Sequence, residues 1–351
     1  MTDSNDIRDV LVVGAGVSGL TTAHILGRHG IDVEVVEARD RVGGRTWSPM
    51  FDDVRLDLGA TWVWDHESHV HALIGELGLQ TYIPTVDGDD LYDTPMGVQR
   101  VRLPGSSVQE RRIVGGTQAI SLALAKGLSC VTLNTSVTAV RLSDDSGQAI
   151  VEVETSAGTR RARHVVAALP SSLFASQVDL PNLDPERLRI LRATPTWMGD
   201  IAKFVAVYER PFWRDQGLCG RGFSRVGPIG ELHDISVPGG DHGVLFGFIP
   251  RVDLPVEALK DRALEQLARM FGPVRPTHHI MKVWWTDAMT VAPNPHATMP
   301  GLLGHPVLRE PLLDGRLHLS STECATENAG HLDGAVQRAR EVAHMLRRLL
   351  T

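Results

Sequence analysis

The chain has 351 residues, 42% hydrophobic and 22% charged, enough for two ordinary domains with a large buried core. Its formal charge of -7 argues against a protein drawn as a whole onto nucleic acid or an anionic membrane surface. No apolar run approaches the roughly 20 residues of a membrane-spanning helix, the start MTDSNDIRD lacks a basic-then-apolar leader, and Cys130, Cys219 and Cys324 are too scattered for a disulfide framework. The expectation is a cytoplasmic protein with reduced cysteines and neither nucleic-acid nor membrane partners. The first predicted elements are a strand at Val10–Val13, a tight turn in GAGVSGL, a helix reaching Gly30, and a strand at Val33–Val36 that ends on Glu37. Gly14 permits the turn, Gly16 lets the backbone approach a pyrophosphate, and Gly19 allows helix to pack closely on strand. The helix start, with Ser18 in its first turn, offers free N–H groups to phosphates. Glu37, about 20 residues after the glycines, suits ribose hydroxyls and would repel a 2′-phosphate.

Directly after Glu37 comes Ala38-Arg39-Asp40-Arg41-Val42-Gly43-Gly44-Arg45-Thr46. This resembles the second FAD motif of the flavin monoamine and polyamine oxidase family. Asp57-Leu58-Gly59-Ala60-Thr61-Trp62 is similar to the family's stretch beside the flavin ring. Gly115-Gly116-Thr117 before an apolar helix, the Asn134–Val140 strand and the buried His164–Pro170 strand continue the resemblance, which implies a backbone contact from Val137 to adenine. Trp197-Met198-Gly199-Asp200-Ile201-Ala202-Lys203 resembles the family's Met-Gly-x-x-x-Lys, and Pro211-Phe212-Trp213 its Pro-Phe-Trp. After a strand read at Leu317–Thr322, Glu323 to Ala335 resembles the closing flavin motif, with Gly334 allowing the last helix to approach the flavin. That helix carries an apolar stripe from Ala335 through Val336, Ala339, Val342, Ala343 and Leu346 to Leu350, with Arg338, Arg340, Arg347 and Arg348 largely on the solvated side.

The resemblance implies an α/β fold: a three-layer, Rossmann-like FAD-binding domain over 1–83, 113–170 and 284–351, and a smaller α+β substrate domain over 84–112 and 171–283. It implies oxidation of an amine by hydride transfer from its α-carbon to flavin N5, with oxygen as acceptor and hydrogen peroxide as product. Lys203 would hold a water near the flavin, Trp284 or its neighbour Trp285, read as a pair in a strand, would line the site, and Glu323 would bond the ribityl chain. The implied cofactor set is Gly14, Gly16, Ser18, Gly19, Glu37, Ala38, Arg39, Gly43, Gly44, Arg45, Gly59, Ala60, Thr61, Trp62, Val137, Glu323 and Leu332. An amine needs its lone pair, so the pocket must favour the neutral form.

Three departures matter. Where monoamine oxidases have two caging tyrosines, this chain has His331 and Asn294, so His331 is read as a substrate contact, a general base or a packed ring. Val291–His296 has no cysteine for a covalent flavin, so FAD is expected to be noncovalent. Only the polar, strand-like stretch Pro84–Arg112 stands where relatives carry a helical insert, which predicts a more open pocket or one closed by a second subunit. Asp65-His66-Glu67-Ser68-His69-Val70-His71 is not HExxH, because its second histidine comes one residue early, and is read as a solvated helix start with no metal. Dehydrogenation of a non-amine substrate and a degenerate flavin-binding module are the alternatives.

Overall fold

The structure, a computed structural model, describes residues 7–84, 87–102, 109–181, 183–292 and 300–351. The strand Ile7–Val13 pairs in parallel with Val33–Val36 on one side and with Gly158–Ala167 on the other. Val131–Thr132 and Leu317–Leu319 extend the parallel part, and the antiparallel meander Val137–Asp145, Gln148–Thr155, Gly158–Ala167 completes this first sheet. Alternation along the first strand decides the layers. Val10 and Val12 pack with helix α1 (Val17–Arg28), helix α3 (Gln118–Lys126) and the C-terminal helix Leu332–Leu350, whereas Leu11 and Val13 face the opposite layer. Helix α2 (Ser68–Glu76) joins the first of these layers through Val70, Leu73 and Ile74.

A second sheet runs, from edge to edge, through His278–Val283, Ile201–Tyr208, Gly243–Pro250, Glu231–Asp234, Leu218–Ser224, Asp89–Thr94 and Gly97–Val101. It is antiparallel except where Asp89–Thr94 lies parallel to Leu218–Ser224. In Ile201–Tyr208, Ala202, Phe204 and Ala206 face the core formed with the helix Val256–Phe271. The alternate residues Val205 and Val207 face Leu56, Leu58 and Phe246, and by the same period Lys203 points toward the first sheet's side.

The fold corrects several sequence expectations. Ser171–Gln177 and Pro185–Ala193, assigned from sequence to the substrate domain, pack through Phe174, Ala175, Ile190 and Leu191 on Leu11, Val13 and Val165 of the first sheet. The strand read as Leu317–Thr322 stops at Leu319, and Thr322–Cys324 is a 3-10 turn. Trp284 and Trp285 likewise lie in a 3-10 turn, Trp284–Thr286, at the end of a strand. Arg338 is buried and donates from Nε to the carbonyl of Leu319 at 3.0 Å, so its charge does not belong to the solvated face. The missing Cβ of Gly334 makes room for the chain's own Asn328 carbonyl, 2.5 Å from where that Cβ would sit, and Gly334 does not line the site.

Candidate functional site

A cavity of about 600 Å³ runs from the glycine turn of the first sheet to Lys203 of the second. One end lies where strand Ile7–Val13 meets α1. Gly14 has φ +103, and a Cβ there would lie 2.9 Å from the Ala168 carbonyl, so only glycine makes this turn without strain. Gly19 is not in the wall; its absent Cβ would fall 2.0 Å from the Gly14 carbonyl, which is the close helix-on-strand packing expected of it. At Gly16 nothing in the protein lies within 4 Å of a Cβ, so that position faces open cavity. The second glycine loop is stitched to the first by a bridge between Gly16 and Gly43 and by Gly43 N–H on the Ala15 carbonyl at 2.8 Å.

Glu37, buried at the end of its strand, lines the cavity and accepts from Ala15 N–H at 2.8 Å and Arg39 N–H at 2.9 Å. Each oxygen keeps a lone pair for a ligand hydroxyl. Arg39 is tied to the far side by Asp287 at 2.7 Å and Thr290 at 2.8 Å. Ser18 bonds the Ser320 hydroxyl at 2.9 Å, which joins α1 to the end of the last strand. Arg45 reaches Glu323 through Nη1 at 2.6 Å and Nη2 at 3.1 Å. Burial would raise the Glu323 carboxyl, but the Arg45 guanidinium holds it below the usual carboxylate range. Glu323 is 0% exposed and stands behind Arg45, outside the cavity wall, where it supports Arg45.

At the other end, Lys203 is 5% exposed and donates to the carbonyl of Gly59 and to the hydroxyl of Thr61. Its ammonium lies 4.5 Å from the Phe246 ring centre and 4.8 Å from that of Phe248. No carboxylate pairs with it among the described residues. Burial therefore lowers its pKa to about 7, with Arg112 pushing the same way against the pull of Asp57. Gly59 must be glycine, because a Cβ would sit 1.9 Å from the Arg45 carbonyl. Trp284 donates from its indole to the Leu58 carbonyl at 2.8 Å and lines the cavity, while Trp285 packs into the second sheet's core.

His331, Leu332, Val137, Ala38, Gly44, Ala60 and Trp62 all line the same cavity, so the structure brings together nearly every residue singled out from sequence. Asn294 lies outside the described residues. Sequence reading missed Trp64, Trp197 and Phe248 in the wall, and above all Glu67. Glu67, placed from sequence in a solvated helix start, is 1% exposed and lies 2.7 Å from His331 Nδ1. Only the acid's place just before an amphipathic helix was visible locally, and a solvated cap has the same pattern. Among the described residues no His, Cys, Asp and Glu group is arranged to hold a metal.

The cavity suits a long dinucleotide: a Cβ-free approach at Gly16, the acceptor Glu37, two arginines along its length and an aromatic far end with Trp62, Trp284 and Phe248. Fold and site thus define a flavoprotein-type oxidoreductase with a discontinuous Rossmann-like sheet and a second, mostly antiparallel sheet. The chain belongs to the flavin containing amine oxidoreductase family, whose model matches residues 17–102 and 85–346. It is 27% identical to putrescine oxidase of Kocuria rosea, over 96% of this chain and 94% of that one. It is also 27% identical to a flavin-containing amine oxidase of Oncorhynchus mykiss, over 99% and 88%. Among solved structures it is similar to a putrescine oxidase bound to putrescine, with a TM-score of 0.84 at 24% identity over 98% of this chain and 99% of that one. Cyclohexylamine oxidase from Brevibacterium oxydans gives a TM-score of 0.84 at 21% identity, over 98% and 100%. No helix is long and apolar enough to cross a membrane among the described residues.

Proposed function

We propose that this protein is an FAD-dependent amine oxidase, with FAD held noncovalently in the cavity and a small amine admitted beside Lys203, Trp284 and His331. The observation that carries it is the buried Lys203, lodged against Gly59 and Thr61 in one cavity with the phosphate-cradling glycines. When bound, FAD would supply the two-electron acceptor for a hydride from the amine α-carbon, with oxygen as the final acceptor and imine and hydrogen peroxide as products. The glycine turns, Glu37, Arg39 and Arg45, which line one cavity, would hold the cofactor's nucleotide and phosphates. Trp284, fixed by the Leu58 carbonyl, would exclude water from the reacting end of the cavity. Lys203, poised between ammonium and amine near neutrality, holds or moves a proton at Nζ. Relatives named for putrescine and cyclohexylamine support a small, flexible choice of amine.

The domain division is best drawn as 1–83, 113–193 and 284–351 for the cofactor and 84–112 and 194–283 for the substrate, with the helices at 171–193 moved to the cofactor side. The shortened 84–112 stretch supports a pocket that is more open than in longer relatives, or one closed by a second copy of the chain.

The test is anaerobic mixing of the yellow holoprotein with a panel of amines that includes putrescine, cyclohexylamine and benzylamine, followed by admission of oxygen. Bleaching by at least one amine and stoichiometric peroxide are expected. Turnover of a non-amine with an artificial acceptor and no bleaching by any amine would replace this reading with a dehydrogenase. Lys203→Met should take up FAD normally, while its reoxidation by oxygen slows by on the order of a hundredfold. Unchanged reoxidation would remove Lys203 from the mechanism.

A further inference from the structure

We propose that Glu67 and His331 form a dyad that takes the proton from the substrate's ammonium group, delivering the neutral amine that oxidation requires; this rests on the amine reading above. Glu67 accepts from the Trp64 N–H at 2.9 Å with Oε2 and faces His331 Nδ1 at 2.7 Å with Oε1. An ionised carboxylate only accepts, so the ring hydrogen belongs on Nδ1 and the lone pair on Nε2. Nε2 has no hydrogen-bond partner among the described residues, and the ring, with its side chain 34% exposed, lines the cavity. Backbone bonds hold it in place: the Thr322 hydroxyl donates to the His331 carbonyl at 2.7 Å, and the His331 N–H donates to Asn328 at 2.9 Å. Trp197 lies 5.9 Å from the ring centre and is pressed against Gly330, where a Cβ would come within 2.5 Å of the indole. The chamber is thus polar at one nitrogen and aromatic around it.

The proton balance is simple. R–CH2–NH3+ gives its proton to Nε2, leaving R–CH2–NH2 and an imidazolium whose charge is neutralised by Glu67; no other bond changes. The other charged groups packed around this corner are already engaged. Asp333, in the first turn of the C-terminal helix, accepts from Val70 N–H at 2.8 Å and the Asn328 amide at 2.9 Å. Arg45 and Glu323 neutralise each other across the Trp197 turn. Lys203 enters the cavity from the second sheet and is held by Gly59 and Thr61.

The test uses holoenzyme and the bimolecular rate of anaerobic flavin reduction from pH 6 to 10, starting with putrescine and cyclohexylamine. Glu67→Gln and His331→Gln should bind FAD as the wild type does. At pH 7 they should lose on the order of a hundredfold in rate, and the gap to the wild type should narrow steadily as pH rises toward the amine's own pKa, roughly 10.4 for an alkylammonium. Nitrogen-15 histidine spectra of the wild type should show His331 protonated at Nδ1 and bare at Nε2, a readout separate from Lys203 titration. A loss that is uniform across pH, an unchanged profile, or a proton on Nε2 would overturn the dyad. A wild-type flavin that no panel amine reduces would instead overturn the amine reading, and the dyad with it.

Discussion

Two buried charged side chains of this site are handled in opposite ways, and the difference lies in their partners. Glu323 stays ionised because a bidentate guanidinium repays its desolvation, whereas Lys203 meets only neutral oxygens and ring faces and yields its charge near pH 7. Removing one partner of such a pair costs far more than removing both. Arg45→Ala should therefore destabilise the protein by about 3–5 kcal/mol in urea melts at pH 7, and adding Glu323→Gln should restore most of it. Equal midpoints for wild type and Arg45→Ala would mean that the pair is not desolvated as described. Lys203 was legible in sequence through the Met-Gly spacing before it. Glu67 was not, because its partner His331 lies 264 residues away.

At the level of elements, the glycines of the first turn separate two jobs that one motif conceals. Gly19 serves the fold and Gly16 serves the ligand. Gly19→Ala should cost roughly 3–5 kcal/mol, since its Cβ would fall 2.0 Å from a backbone oxygen in the protein's first helix–strand contact. Gly16→Ala, with open space around its Cβ, should leave the flavin-free protein's melting temperature nearly unchanged and weaken FAD binding by roughly a hundredfold or more. Equal thermal losses for both variants would contradict this division.

The strand pair Gly158–Ala167 and Leu317–Leu319 places His164 beside His318, Nδ1 to Nε2 at 3.4 Å. Burial lowers the pKa of His318 to about 4, helped by His164 and Arg338, and burial also lowers His164. The folded form favours neutral rings, so stability should hold above pH 6.5 and fall as pH drops from there toward 4. The loss from His318 is on the order of 3 kcal/mol. His318→Phe should flatten that part of the pH–stability curve in chemical denaturation, and a curve as steep as the wild type's would assign the acid sensitivity elsewhere.

Across the whole molecule, the cavity is walled by residues of both halves, which are tied by Lys203 to Gly59 and Thr61 and by the packing of Leu56 and Leu58 on Val205, Val207 and Phe246. A ligand filling it should stabilise both halves together. Free FAD at about a hundred times its dissociation constant should add about 2.7 kcal/mol, with one calorimetric transition moving upward as a unit. Two transitions, with only one responding to FAD, would show that the cavity does not couple the sheets.

The sequence by itself determined the first sheet's glycine turns, the acid at Glu37 and the final helix, because each is written in short-range spacing that a local backbone conformation demands, whereas Lys203 was marked by its resemblance to the family's Met-Gly-x-x-x-Lys. It could not decide which layer Ser171–Ala193 joins, whether Arg338 is solvated, or that Glu323 backs Arg45 instead of lining the cavity. Nor could it turn Glu67 inward onto His331. Those outcomes depend on which distant surfaces meet once the sheets pack, and burial and pairing across such surfaces have no signature in the residues adjacent along the chain.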